Sequence, residues 1–175
     1  MAQILSALVV AVDRGLHLPL VYNTGGHDSP EALELLDGVI DIYMPDMKYA
    51  DDDAARRYSR VRGYVDANRT AVREMHRQVG DLVTDAHGVA VRGLLVRHLV
   101  LPGGLAGTEE VLGFLAREIS PDTRVNVMDQ YRPCYRAGRH PPLDRRVTAE
   151  EMRAARDAAR RLGLRSPEGE RDQVD

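Results

Sequence analysis

The chain has a single cysteine, and Cys134 therefore has no second thiol to pair with. An internal disulfide is excluded, a reducing cytoplasmic setting is expected, and the chain cannot by itself supply the several thiolates of a cysteine-ligated metal cluster. Charge of one sign is also missing. With 24 basic and 27 acidic residues the net charge is -3, so no long-range field selects nucleic acid or an anionic membrane as partner. Nor is there a run of about 20 apolar residues of the kind that spans a bilayer. The apolar start, Ile4 to Val12, lacks the positive segment that precedes a secretion signal and reads as a buried helix. Heptads, low-complexity tracts and short-period repeats are absent as well.

What is present suits one folded domain. The 175 residues, 43% hydrophobic and 29% charged, are ordinary for a single core. The pattern alternates strand, loop and helix. A helix over residues 2–14 stops at Gly15, and a strand over 18–22 breaks at Asn23-Thr24-Gly25-Gly26. Ser29-Pro30 then caps a second helix. A strand over 39–44 follows, ended by Pro45-Asp46-Met47-Lys48, and Asp51 to Asp53 mark the next helix start. Residues 68–78 read as an exposed-faced helix and 81–92 as a hairpin turning at Asp85-Ala86-His87-Gly88. The most apolar strand, 94–101, ends at Pro102-Gly103-Gly104, and Thr108 is the expected cap of a helix to Ile119. A strand over 123–128, a proline-rich segment to Leu143 and a helix from Thr148 to about Gly163 complete residues 1–165. Residues 166–175 read as a flexible tail. Continuous apolar strands between helices imply an α/β fold with a parallel sheet, as in an open or partial barrel.

In such folds ligands bind at the carboxyl ends of the strands, which directs attention to four loops. The first offers Asn23 and two glycines, as useful to a ligand as to an ordinary turn. The second offers Asp46 and Lys48, two apart and so on one face of an extended chain, suited to opposite charges on a ligand or to a surface ion pair. In the third strand Arg97 and His98 interrupt an apolar run. Arg97 is expected to clamp an anion rather than to serve a structural ion pair, and His98 to be a hydrogen-bonded packing residue facing the helices. The fourth loop supplies Asp129, Gln130, Tyr131 and Arg132.

In that order, the segments LPLVYNTGG, IDIYMPDMKYADD, REMHRQVGDL, RGLLVRHLVLPG and VNVMDQYRPCY resemble the later part of radical S-adenosylmethionine proteins related to pyruvate formate-lyase activating enzyme. The resemblance runs from about Leu8 to Leu164. It implies the C-terminal portion of a partial (β/α)6 TIM-like barrel. It also implies a [4Fe-4S] cluster that reductively cleaves S-adenosylmethionine to a 5'-deoxyadenosyl radical, and a glycyl-radical protein as the activating branch's partner. Asp46 and Lys48 match the family's Asp-x-Lys at a strand end near S-adenosylmethionine. Asn23 falls in the preceding strand-end motif, Arg97 matches an arginine before the Pro-Gly turn, and Gln130 with Tyr131 sits at the last barrel-mouth loop. The family's CxxxCxxC cluster loop and its glycine-rich motif have no counterpart here, and three thiolates are needed where only Cys134 exists. No cluster is expected on this chain alone.

A zinc site from His17, His27, His76, His87, His98 and His140 is disfavoured, since no two have ligand spacing. A nucleophilic role for Cys134, between Arg132 and Arg136, is weaker than an incidental thiol. Arginines of the final helix interleave with Glu150, Glu151 and Asp157 as a solvated charged face. Two readings follow. The chain is a C-terminal portion of a radical enzyme, acting when joined or docked to a cluster-bearing N-terminal half, or it is a non-catalytic remnant or interaction module. An exposed parallel edge at 18–22 favours association, including homo-oligomers, in either case.

Overall fold

The computed structural model describes residues 2–165. The expected C-terminal tail, 166–175, lies outside the described residues.

Helix α1 spans Ala2–Asp13, strand β1 Val21–Thr24, α2 Pro30–Glu34 and β2 Ile42–Pro45. Next come α3, Asp52–Ala54, which runs on through a wider turn at Ala55–Ser59, and α4, Tyr64–Val79. Strand β3, Val83–Thr84, and the long β4, Ala90–Leu99, precede α5, Thr108–Phe114, which continues to Ile119. Strand β5 is Arg124–Met128 and α6 is Ala149–Arg161. The sheet has five strands. Strands β1, β2, β4 and β5 lie side by side in chain order, all parallel, while β3 pairs antiparallel with the start of β4. The mixed α/β architecture with a parallel sheet is thus as expected.

Local chemistry explains most element ends. The Ser29 hydroxyl accepts from the Ala32 amide at 3.2 Å with Pro30 at the first helical position, and the Asp51 carboxylate accepts from Ala54 N at 2.8 Å. Helix α6 opens with a capping box: the Thr148 hydroxyl accepts from Glu151 N, and the Glu151 carboxylate accepts from Thr148 N. The hairpin turns at Asp85, whose carboxylate accepts from His87 N and Val89 N. Its second arm is continuous with β4, so the expected hairpin and strand are one ladder.

One face of the sheet is covered by helices. Tyr43 of β2, Leu94 and Val96 of β4, and Val125 and Val127 of β5 are buried against Leu33 and Leu36, the α4 stripe Val72, Met75 and Val79, Leu112 and Phe114 of α5, and Met152 of α6. Each large side chain buried there contributes roughly 1.5–3 kcal/mol. The opposite face carries alternate residues of the same strands, namely Asn23, Met44, Leu95, Arg97 and Asn126, all partly or fully exposed.

Two local expectations fail. Helix α1 has no buried residue, and Ile4, Val9, Val10 and Val12 are more than half exposed, because only Leu5 reaches the core. Thr108 does not cap α5. Gly107, in the left-handed region at φ 62°, precedes the helix, and the Thr108 hydroxyl turns to His98 instead.

Candidate functional site

The carboxyl ends of β2 and β4 bring together three of the expected residues. Beyond the last strand residue of β2, Asp46 still pairs in register with Arg97, which places both side chains on the helix-free face. Arg97 reaches Asp46 Oδ1 through Nε at 2.8 Å and Nη2 at 2.6 Å. Lys48 Nζ sits 2.9 Å from Oδ2 of the same carboxylate. Asp46 is the most enclosed of the three, its side chain 14% exposed against 26% for Arg97 and 39% for Lys48. Two cations thus share one carboxylate, which leaves this group of three with one net positive charge. Arg97 is therefore in an ion pair, the role ranked second for it, and the surface-pair alternative for Asp46 and Lys48 is also realised.

Asn23 lies on β1 beside Met44, on the same face and one pleat earlier. It is exposed and makes no hydrogen bond to the other three among the described residues. Gln130 and Tyr131 go elsewhere. The Gln130 amide contacts Met128 Sδ at 3.4 Å, and the Tyr131 hydroxyl donates to Leu143 O at 2.8 Å. Both line a hollow of about 430 Å³ with Arg146, Thr148 and Met152, beside α6.

The loop that carries the acidic centre is held from behind by residues the sequence did not single out. Asn68 of α4 is buried and its amide donates to Gly26 O at 2.8 Å and Asp46 O at 3.0 Å, tying the first strand-end loop to the second. Its Oδ1 has no partner among the described residues. Gly26, at φ 75°, fits this clamp because a Cβ there would collide with the Asp46 carbonyl and the Asn68 amide. Gly25 faces open space, so of the two glycines only Gly26 is required by packing. Tyr64, one helical turn before Asn68, accepts from Lys48 N at 2.8 Å, and burial pushes its phenol up to about 12, so it stays protonated. The signal was legible in principle: Tyr64, Asn68, Val72, Met75 and Val79 follow helical spacing, and a polar Asn within an apolar stripe needs partners.

His98 is fully buried on the helix-facing side, as expected, between Met47 O at 2.7 Å and Thr108 Oγ1 at 2.9 Å. A carbonyl only accepts, so Nδ1 carries the proton and neutral Nε2 accepts from the Thr108 hydroxyl. Burial pulls the imidazole down to about 4 and keeps it neutral.

For a metal the residues are wrong. No group of three His, Cys, Asp or Glu side chains among the described residues is placed to hold an ion, and Cys134 is a lone exposed thiol. A [4Fe-4S] cluster does not fit this chain. Asp46, Lys48 and Arg97 together carry one net positive charge, beside the exposed amide of Asn23. No helix among the described residues is long and apolar enough to cross a membrane.

No family model matches the chain. Over 149 residues, 85% of its length, the chain is 32% identical to an uncharacterized protein of Methanocaldococcus jannaschii. The aligned part is 40% of that protein, so the chain spans about two fifths of the length of the curated relative it matches.

Proposed function

We propose that the chain is the C-terminal portion of a radical S-adenosylmethionine barrel, similar to activating proteins of glycyl-radical enzymes. In this reading Asp46, Lys48, Arg97 and Asn23 form part of the S-adenosylmethionine pocket. The observation that carries it is the Arg97–Asp46–Lys48 group at the ends of adjacent parallel strands. Strand order supports the barrel part of the reading. An open doubly wound sheet reverses its order at a switch point, whereas β1, β2, β4 and β5 advance in one direction. Arg165, after α6, extends that progression by bridging in parallel to Arg124 of β5. Lys48 and Arg97 retain donors for the ligand carboxylate, while Asp46 offers its oxygens to the ammonium. Bound together with a cluster, S-adenosylmethionine supplies a carbon radical by reductive cleavage. The thiolates for that cluster must come from another segment or chain.

Codons in frame immediately upstream provide the cheapest test. A CxxxCxxC motif there, and anaerobic 5'-deoxyadenosine release by the joined polypeptide, is the expected result. Absence of the motif would favour the other reading, a non-catalytic interaction module or homo-oligomer. That alternative draws on β1 at the sheet edge and on exposed Ile4, Val9, Val10 and Val12 of α1. It predicts concentration-dependent association that Val9→Asp reverses, read by light scattering.

A further inference from the structure

At the same end of the sheet, but in a separate cleft, the loop after α3 faces the proline-rich segment after β5. Their side chains border an open hollow of about 790 Å³, within the range of small-molecule sites. Three guanidinium groups line it, from Arg57, Arg60 and Arg136, together with His140 and the rings of Tyr58 and Tyr135, and no carboxylate does. None of the three arginines has an acidic partner among the described residues. Arg57 and Arg136 instead lie over the rings of Tyr58 and Tyr135, at 5.4 and 5.1 Å from their centroids. Arg77 is paired with Asp37 and Glu74 and Arg145 with Glu151, whereas Arg69, over the Phe114 ring, and Arg92, on backbone carbonyls, resemble the cleft arginines in their partners.

Two residues of unusual backbone conformation also border the cleft. Among the described residues two that are not glycine adopt positive φ, Arg60 at 58° and Tyr135 at 52°, and both line it. Arg60 is the left-handed C-cap of the turn Ala55–Ser59, its N–H bonding back to Arg56 O at 3.1 Å, so helix termination accounts for its φ, and glycine would hold either conformation without strain. Tyr135 is 91% exposed, so burial of its ring does not explain it.

We propose that this cleft binds a phosphorylated small molecule with a planar ring, of the class of a nucleoside diphosphate. Its phosphates lie between Arg57, Arg60 and Arg136, and its ring lies against Tyr58 and Tyr135. Three uncompensated positive charges call for a ligand with more than one negative charge, which a diphosphate carries and a single carboxylate does not. The rings and volume call for an organic moiety beyond the phosphates. The cationic sulfonium of S-adenosylmethionine is disfavoured here, so the inference stands apart from the reading of Asp46 and Arg97.

Isothermal titration with ADP, pyrophosphate and adenosine tests it. The expected result is saturable ADP binding that weakens as salt rises, weaker binding of pyrophosphate and none of adenosine. Arg60→Gly relaxes the backbone, so it leaves thermal stability equal or higher while weakening ADP at least about ten-fold. Arg136→Ala weakens ADP similarly, and Arg77→Ala, on another surface, leaves it unchanged. Absence of saturable ADP binding at millimolar concentration, or binding indifferent to Arg60→Gly and Arg136→Ala, would overturn the proposal. Equal affinity for ADP and pyrophosphate would overturn its ring component.

Discussion

Arg97 and Asp46, 51 residues apart, meet through two nitrogens on one carboxylate oxygen at 2.8 and 2.6 Å, while Lys48 holds the other oxygen. The carboxylate is the common partner, so removing it should hurt more than removing either cation. Asp46→Ala leaves two partly buried cations facing each other and is expected to cost roughly 1–3 kcal/mol. Lys48→Ala, at the most exposed member, should cost under about 1 kcal/mol. Urea unfolding of both variants checks the order, and equal losses would mean that Asp46 is not the centre.

His98 gives the fold an acid-sensitive window. Its folded pKa is about 4, below the ordinary value near 6.5, so the unfolded chain takes up a proton first as pH falls. The neutral histidine's contribution is intact above about pH 6.5 and is lost on acidification toward about pH 4, on the order of 3 kcal/mol in total. Denaturant midpoints measured from pH 7 to 4 should fall, and the slope should flatten in His98→Gln. A wild-type profile that is flat through this interval would contradict the buried neutral imidazole.

The two glycines of the first loop should behave differently. Gly26→Ala puts a methyl group against the Asp46 carbonyl and Asn68 amide at φ 75°, and a loss of about 2 kcal/mol or more is expected. Gly25→Ala enters open space and should stay within about 0.5 kcal/mol of wild type. Thermal unfolding distinguishes them.

Anaerobic incubation with iron and sulfide should leave this chain colourless after desalting. One exposed thiol with no second ligand cannot hold a cluster. A broad visible iron-sulfur band from the chain alone would show that the ligand argument is wrong.

The alternation of strands and helices was legible because Ser29-Pro30, Asp51, Thr148 and the strand-ending Gly and Pro residues act locally. Asp46 and Lys48 shared a face by spacing alone. Their partner was not legible, because the pairing of Asp46 with Arg97 depends on the register of β2 against β4. That register pairs Ile42 with Gly93 and Tyr43 with Leu94, a long-range match that no local signal encodes. Helix α1 misled for the opposite reason. Its apolar residues surround the helix without a polar face, so the pattern gave no sign that only one side, at Leu5, would find a neighbour. Thr108 had two plausible uses, and the buried Nε2 of His98 took it from the cap.

The pocket claim is tested most directly by a two-dimensional NMR titration with S-adenosylmethionine, which detects weak and partial sites. The account predicts saturable shifts centred on the amides of Asn23, Asp46, Lys48 and Arg97, lost in Asp46→Ala. No saturable shift at those residues, or shifts centred on another surface, would contradict it.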